Sequence, residues 1–383
     1  MKRLLVTVLI FAMCLSLAGC INTPEISYTQ TPENTLGGEI TDTYIEPPVT
    51  NGNVDTLFPT ATPLLKISYL DVGQGDSVFM TFPDGVTMLI DASESKASDT
   101  IINYIKESGC DRIDYIIATH PHADHIGGMA DVINEFSVGT VYMPNATTTT
   151  NTFENLLDAI EAKNIPIKRA KAGVTIVENQ DYSIKILAPV DEDYNDLNDS
   201  SAVIKVEYKE RSFLFMGDAG VSSENKITED VSCDIIKVGH HGSRTSSGQS
   251  FVNRTGARYA VFSLGEGNSY GHPHEEAVSR WQALGSVILR TDILGNIIAI
   301  TDGEELHVVT GGEVLPDDGG EPTPDTVAPE YNWILNTNTK KIHKEGCSSI
   351  KNMSESNKAS SSQSIKELEQ EGYTPCKICK PVD

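Results

Sequence analysis

Positive charge is what this sequence lacks most: 29 Lys and Arg stand against 54 Asp and Glu, a formal net charge of −25 over 383 residues. Such a surface repels DNA and anionic membranes at long range, which excludes a high-affinity nucleic-acid binder that relies on basic patches. It leaves open chemistry in which bound cations hold a phosphate locally. Long apolar runs are missing too. The single one, Leu4 to Leu17, is short for a membrane span, so no channel-like set of segments accompanies the rest of the chain. Histidine is scarce, and none lies between His125 and His240. Of seven cysteines, Cys110 and Cys233 read as buried thiols, whereas three crowd the last forty residues.

What is present falls into five stretches. Lys2, Arg3, the apolar run and Leu17-Ala18-Gly19-Cys20 read as a signal peptide over residues 1–19. The last four residues resemble the lipobox of bacterial lipoproteins, which implies a lipidated Cys20 and an extracytoplasmic protein anchored to the membrane. An ordinary secretory signal with a coincidental cysteine is the alternative. Residues 20–63, rich in Thr, Pro, Asn and Glu without a period, read as a disordered tether. Residues 64–311 carry the chemistry, residues 312–330 form a Pro/Gly/Asp linker, and residues 331–383 make a small module.

Within residues 64–311, strand patterns at Lys66–Leu70, Val78–Phe82 and Thr87–Asp91 suggest an opening antiparallel meander. Helical patterns follow at residues 98–108, after Gly127-Gly128, and at residues 152–163. Strands at residues 184–187, 202–206 and 213–216 come next, so the pattern alone predicts α/β or α+β. Asp71 and Asp91 are expected at strand ends facing one polar edge, while Asp76 reads equally as a turn former.

The apolar strand Ile113 to Ala118 runs into His120-Pro121-His122-Ala123-Asp124-His125. Three imidazoles and a carboxylate at this density suit a divalent metal of borderline hardness. Asp218 follows another apolar strand, where an unpaired carboxylate would be costly. His240-His241 closes a third. His272 and His274 flank a helix start, where an anion is favoured and an imidazole can bind or protonate a phosphate oxygen; a capping role for His274 is the plainer reading. The stretch 242–247 adds hydroxyls, amides and the Arg244 guanidinium.

This series resembles the metallo-β-lactamase fold, and its motifs narrow the likeness. Leu70–Ser77, Phe215–Ala219, Lys237–Ser243 and Tyr270–His274 are similar, in order, to the hydrolase domain of the ComEC competence proteins. The resemblance implies an αββα sandwich with two divalent metals, zinc or manganese, and a hydroxide activated between them. His120 and His122 would hold one metal. Asp124, His125 and one residue of the His240/His241 pair, with a lean toward His241, would hold the other. Asp218 would bridge them, the second histidine of the pair would contact the phosphate, and Asp71 and Asp91 would support the site. One departure is the absent histidine before the bridging aspartate, where Asn198-Asp199-Ser200-Ser201 offers oxygens instead. One metal is therefore expected to bind more weakly.

His343, Cys347, Cys376 and Cys379 form a set with zinc spacing in a module too small to be stable without a staple. It resembles the Ada-like zinc-binding modules at the end of secreted bacterial nucleases. A disulfide among the three cysteines is the alternative, disfavoured by their odd number. A helix is expected over residues 364–371, and the local lysines make the one basic cluster. The sequence thus predicts an extracytoplasmic metal-dependent phosphodiesterase with DNA as leading substrate. A cell-wall (phosphorylcholine or teichoic acid) phosphodiesterase and a surface binding protein with a vestigial metal site are the rivals. No protein partner is inferable.

Overall fold

The computed structural model describes residues 57–315 and 333–381, short breaks apart. The signal segment, Cys20, the tether up to residue 56 and residues 316–332 lie outside the described residues, as does most of the expected 364–371 helix. Among the described residues no helix is long and apolar enough to cross a membrane.

The chain opens with β1 (Leu65–Tyr69), β2 (Val78–Thr81) and β3 (Thr87–Ile90), an antiparallel meander as the alternation predicts. It continues through α1 (Ser98–Glu107), β4 (Arg112–Ile117), α2 (Ala123–Ile126), α3 (Met129–Glu135), β5 (Ser137–Met143), α4 (Asn151–Ala162) and β6 (Ile167–Arg169). A second series comprises β7 (Val174–Glu178), β8 (Tyr182–Ala188), β9 (Val203–Tyr208), β10 (Arg211–Phe215), α5 (Val221–Glu224), β11 (Ile235–Lys237), α6 (Gln249–Thr255), β12 (Tyr259–Phe262), α7 (Glu275–Leu284), β13 (Val287–Arg290) and α8 (Thr291–Leu294). Then β14 (Ile297–Thr301), β15 (Leu306–Thr310) and β16 (Glu313–Val314) return to the first sheet, where β14 pairs with β1. The result is a nine-stranded sheet, β16-β15-β14-β1-β2-β3-β4-β5-β6, and a seven-stranded sheet, β13-β12-β11-β10-β9-β8-β7.

Strand alternation explains why both faces of each sheet are apolar. Leu65, Ile67 and Tyr69 of β1 share one core with Phe213 and Phe215 of β10, so the sheets face each other. Leu89 of β3 points the other way, onto Ile101 and Ile105 of α1. Leu214 of β10 does the same on the second sheet, joining Phe251 of α6 and Trp281 of α7. Two facing sheets with helices outside each are the αββα sandwich. The packed domain reaches further at both ends than the expected limits of 64 and 311. Leu57, Phe58 and Leu64 pack on Ile300, Val309 and Val314, and Glu313 pairs with Thr310 in β16, which lies inside the stretch read as linker.

Parallel pairing decides where the polar loops meet. β3, β4 and β5 run parallel, as do β10, β11, β12 and β13, so their C-terminal ends gather at one edge of the sandwich. The loops after β3, β4, β10, β11 and β12 all open there.

The C-terminal module is a four-stranded sheet ordered β19 (Lys358–Ser361), β17 (Trp333–Asn336), β18 (Lys341–Lys344), β20 (Thr374–Pro375). Among the described residues its core holds six buried side chains, Trp333, Leu335, Ile342, Ile365, Leu368 and Tyr373, which is small for a domain that must hold itself together.

Candidate metal centre

Asp218 sits at this edge, 2% exposed, three residues beyond the end of β10. Its two oxygens face different partners. Oδ1 lies 3.2 Å from His125 Nε2 and 3.5 Å from His241 Nε2. Oδ2 lies 3.8 Å from His120 Nε2 and 3.7 Å from His240 Nε2. His241 Nε2 is also 3.4 Å from Asp124 Oδ2, and His120 Nε2 stands 2.9 Å from His122 Nδ1. Two ligands about 2.0–2.1 Å from one tetrahedral ion stand roughly 3.3–3.5 Å apart, so most of these separations are close to edges of a coordination sphere. Asp124, His125, Asp218 and His241 form one set with ligand atoms within 4.8 Å of one another, and His120, His122 and Asp218 form another.

The donor set fits a divalent cation on a further count. Asp218 Oδ1, His125 Nε2 and His241 Nε2 are buried without a hydrogen-bond partner, a costly arrangement unless something positive satisfies them. The electrostatics agree. Burial alone would lower His241, yet the Asp218 and Asp76 carboxylates outweigh it and push the imidazole up to about 10. Burial would raise Asp218, but the charges of His125 and His241 hold it well below the usual carboxylate range. A cluster that draws protons onto buried imidazoles is one whose protons a metal displaces.

Local folding sets each group. His122 ends its extended stretch at the N-terminus of the single-turn α2, which carries Asp124 and His125. Asp91 adopts φ +57° after β3 and accepts from Thr119 N at 2.8 Å, Thr119 Oγ1 at 2.6 Å and His125 Nδ1 at 2.7 Å. That third bond leaves His125 Nε2 bare toward Asp218. His240 and His241 both take left-handed backbone, φ +49° and +52°, which is uncommon for adjacent non-glycine residues and clusters at functional sites. His241 donates Nδ1–H to Ser263 O at 2.9 Å, while His240 Nδ1 lies 3.1 Å from Thr245 Oγ1. Gly75, at φ +129°, has no room for a side chain: a Cβ there would stand 2.4 Å from Asp124 O. This close approach lets the 73–76 loop dock beneath the centre.

In the opening loop one expectation is corrected and one open alternative is decided. Asp71 does not face the edge; its exposed Oδ1 accepts from Gly73 N within its own turn. Asp76 is not a mere turn former, because its side chain is buried with Oδ2 2.7 Å from Lys237 Nζ and Oδ1 3.2 Å from His241 Nδ1. Sequence reasoning passed over Lys237 altogether. The signal was available, since a lysine inside an apolar strand that ends in two histidines must be paired. Where a histidine is absent, Ser201 supplies a hydroxyl 3.3 Å from His120 Nδ1 and accepts from Asp218 N at 3.1 Å.

His272 and His274 complete the rim. The His272 ring lies 5.6 Å from that of His240 and 6.2 Å from that of His241, with Nδ1 buried and unpartnered. Burial and the neighbouring His241 and His240 pull it down to about 4, so it is neutral at pH 7. His274 precedes α7 but makes no side-chain cap; its Nδ1 instead accepts from Arg244 N at 3.1 Å. The Arg244 guanidinium, half exposed, reaches Glu276 at 3.8 Å rather than Asp218. Cys110 is partly exposed and only Cys233 is a buried thiol of the pair.

In the C-terminal module β18 brings His343, 3% exposed, to Cys347, Cys376 and Cys379, all ligand atoms lying within 4.8 Å of one another. Both His343 ring nitrogens lack partners, and the three cysteines are free thiols. Burial would raise Cys376, but the backbone N–H groups of Cys379 and Ile378 outweigh it and bring the thiol down to about 7. Such a set suits a soft, closed, tetrahedral site.

ComE operon protein 3 of Bacillus subtilis is 28% identical over 261 residues, 63% of this chain and 34% of its own. Competence protein ComA of Neisseria gonorrhoeae is 25% identical over 60% of this chain and 31% of its own. The chain thus spans about a third of the length of these curated relatives. Among solved structures, the metallo-beta-lactamase fold protein YhfI from Bacillus subtilis is similar with a TM-score of 0.44 and 10% identity, covering 62% of this chain and all of that one. The family model of the metallo-beta-lactamase superfamily matches residues 70–266. Matched over half its length by that model, and with a His/Asp centre gathered where its two sheets end, the chain belongs to the metallo-beta-lactamase superfamily.

Proposed function

We propose that the chain is an extracytoplasmic metal-dependent phosphodiesterase, with DNA as its leading substrate. Metal-dependent hydrolysis is the coarser statement, which superfamily membership and the His/Asp centre support together. The observation that carries the reading is the division of Asp218 between two sets of imidazoles, with three buried atoms left bare on its Oδ1 side.

In this reading His120, His122 and Asp218 hold one divalent cation, and Asp124, His125, His241 and Asp218 hold the other. Bound there, such cations supply Lewis acidity, lowering the pKa of water and drawing charge from a phosphoryl oxygen. The chain's own residues do the rest. Asp91 and Ser263 O fix the two ring N–H groups on the Oδ1 side, so the opposite nitrogens stay turned inward. His240, its Nδ1 engaged by Thr245, keeps Nε2 toward the cleft and meets a phosphate oxygen there. His272 is neutral at pH 7 and offers a ring nitrogen without charge, while the His274–Arg244 bond holds the loop of Ser243 and Thr245 in place.

Support for DNA comes from the competence proteins the chain resembles. The acidity of the chain favours the rival instead, a phosphodiester of the cell wall such as phosphorylcholine or teichoic acid. The Leu-Ala-Gly-Cys stretch supports a lipid anchor at Cys20 and an extracytoplasmic place, and the Cys/His set supports one structural zinc at His343, Cys347, Cys376 and Cys379. The deciding test incubates the chain with single- and double-stranded DNA in manganese or zinc, beside Asp218→Ala. Cleavage that disappears in the variant supports a nuclease. Intact DNA with the cations demonstrably bound moves the assignment to cell-wall phosphodiesters, and labelling with radioactive fatty acid that survives Cys20→Ser removes the anchor.

A further inference from the structure

We propose that the two cation positions fill in a fixed order, the Oδ1 side of Asp218 first and tightly, the Oδ2 side second and weakly. Buried carboxylates stand behind the histidines of the first side, whereas hydroxyls stand behind His120 on the second. The proposal rests on the reading of this centre as a metal site.

The asymmetry lies one layer behind the ligands. On the Oδ1 side, His125 donates Nδ1–H to Asp91, which is wholly buried. His241 donates to Ser263 O and has Asp76 Oδ1 3.2 Å from the same nitrogen, a charge contact outside hydrogen-bond geometry. Asp76 Oδ2 also lies 3.9 Å from His125 Nδ1, so one carboxylate touches both rings. A carboxylate behind a histidine makes its far nitrogen a better ligand and fixes its direction. Asp124 adds a further carboxylate within this set.

Burying so much negative charge is costly, and Lys237 offsets it. Its Nζ, on a side chain 1% exposed, sits 2.7 Å from Asp76 Oδ2 and donates to Val238 O at 2.8 Å. The ammonium balances the charge of Asp76, whose carboxylate stands 3.2 Å from His241 Nδ1 and 3.9 Å from His125 Nδ1. On the other side His120 Nδ1 meets only Thr119 Oγ1 at 3.2 Å and Ser201 Oγ at 3.3 Å, neither of which carries charge. The buried atoms without partners tell the same story: Asp218 Oδ1, His125 Nε2 and His241 Nε2 all belong to the first side. That is the position which demands a cation.

Asp76 and Lys237 are therefore positioning residues, and the test must read the metal rather than turnover alone. The full chain is stripped with chelator and titrated with manganese, free ion being counted by electron paramagnetic resonance. Manganese is chosen because the thiolates of the C-terminal set bind such a hard ion poorly. Two steps are expected, separated by at least about tenfold in Kd. Asp76→Asn alone strands a buried lysine, so the double variant Asp76→Asn with Lys237→Met is the informative one, its fold checked by circular dichroism. It should weaken the tight step by roughly 10–100-fold and leave the weak step in place, so that the two merge. Ser201→Ala should leave the tight step unmoved. Two equal steps in the parent chain, or a double variant that weakens both steps alike or neither, overturns the order of filling while the metal centre stands. No manganese bound, or uptake unchanged by Asp218→Ala, overturns the centre itself and the proposal with it.

Discussion

Two clusters of ligating side chains occur in one chain, and they are built in opposite ways. The His/Asp centre hangs on loops at the end of a large two-sheet core, with Asp124 and His122 partly exposed at its mouth. The Cys/His set is closed around His343, Cys347 and Cys376 and sits on six core side chains. The first has borderline-to-hard ligands and an open side, as catalysis requires. The second has soft ligands, three of the four buried, as a staple requires. The difference teaches that the hydrolase domain holds its ligands in place, whereas the small module depends on its ligands to hold the domain.

The sharpest break between the two is expected at Asp218. Asp218→Ala should lower phosphodiester turnover by more than about 10³-fold, the scale of losing a central charged group, while circular dichroism stays unchanged. A variant with most of its activity left would mean that this aspartate does not join two positions. Chelation should then separate the regions by stability. Stripping the metal from the Cys/His set should unfold the C-terminal module, since metal binding in small domains is folding energy, with the main thermal transition still present in calorimetry. Cys376→Ser should reproduce that loss and change hydrolysis of a small phosphodiester by less than about twofold, because a structural site touches no substrate.

Smaller effects test the core and the supporting layer. Phe213, wholly buried between the sheets, should cost about 3–5 kcal/mol as Phe213→Ala in urea denaturation, with metal content retained. Asp91→Asn keeps the size but removes the charge behind His125, and metal affinity measured by competition with a chelating dye should fall roughly 10–100-fold. The mildest change is Thr150→Ala at the start of α4, where the hydroxyl accepts from Phe153 N at 3.4 Å. About 1 kcal/mol of stability should go with no effect on either cluster. A metal-affinity change from this remote cap would blur the comparison.

Much of the centre was legible because its ligands come in short runs. His120, His122, Asp124 and His125 lie within six residues, and His240-His241 are neighbours, so their density marks a metal site, while the resemblance supplied the role of each. Asp71 was misjudged and Asp76 left undecided because both sit in one Gly-rich loop whose direction depends on Gly75 docking against Asp124 O, a contact 49 residues away in the chain. Lys237 was overlooked because its partner, Asp76, is brought near only by pairing between distant segments. Likewise the domain's last strand, β16, was hidden in a stretch whose composition reads as linker, since two residues of pairing leave almost no periodic pattern.

By itself the sequence determined the opening meander, several of the later helices and strands, and the residue types that gather in the His/Asp centre and the Cys/His set, because periodicity and motif spacing are local properties. The sandwich and each ligand's role came from the resemblance. Which oxygen of Asp218 each imidazole faces, which histidines have carboxylates behind them, and how a buried lysine is neutralised were decided only by the tertiary structure. The physical reason is that parallel pairing brings the ends of β3, β4, β10, β11 and β12 to one edge, and electrostatics across that edge depends on distance in space, not on distance along the chain.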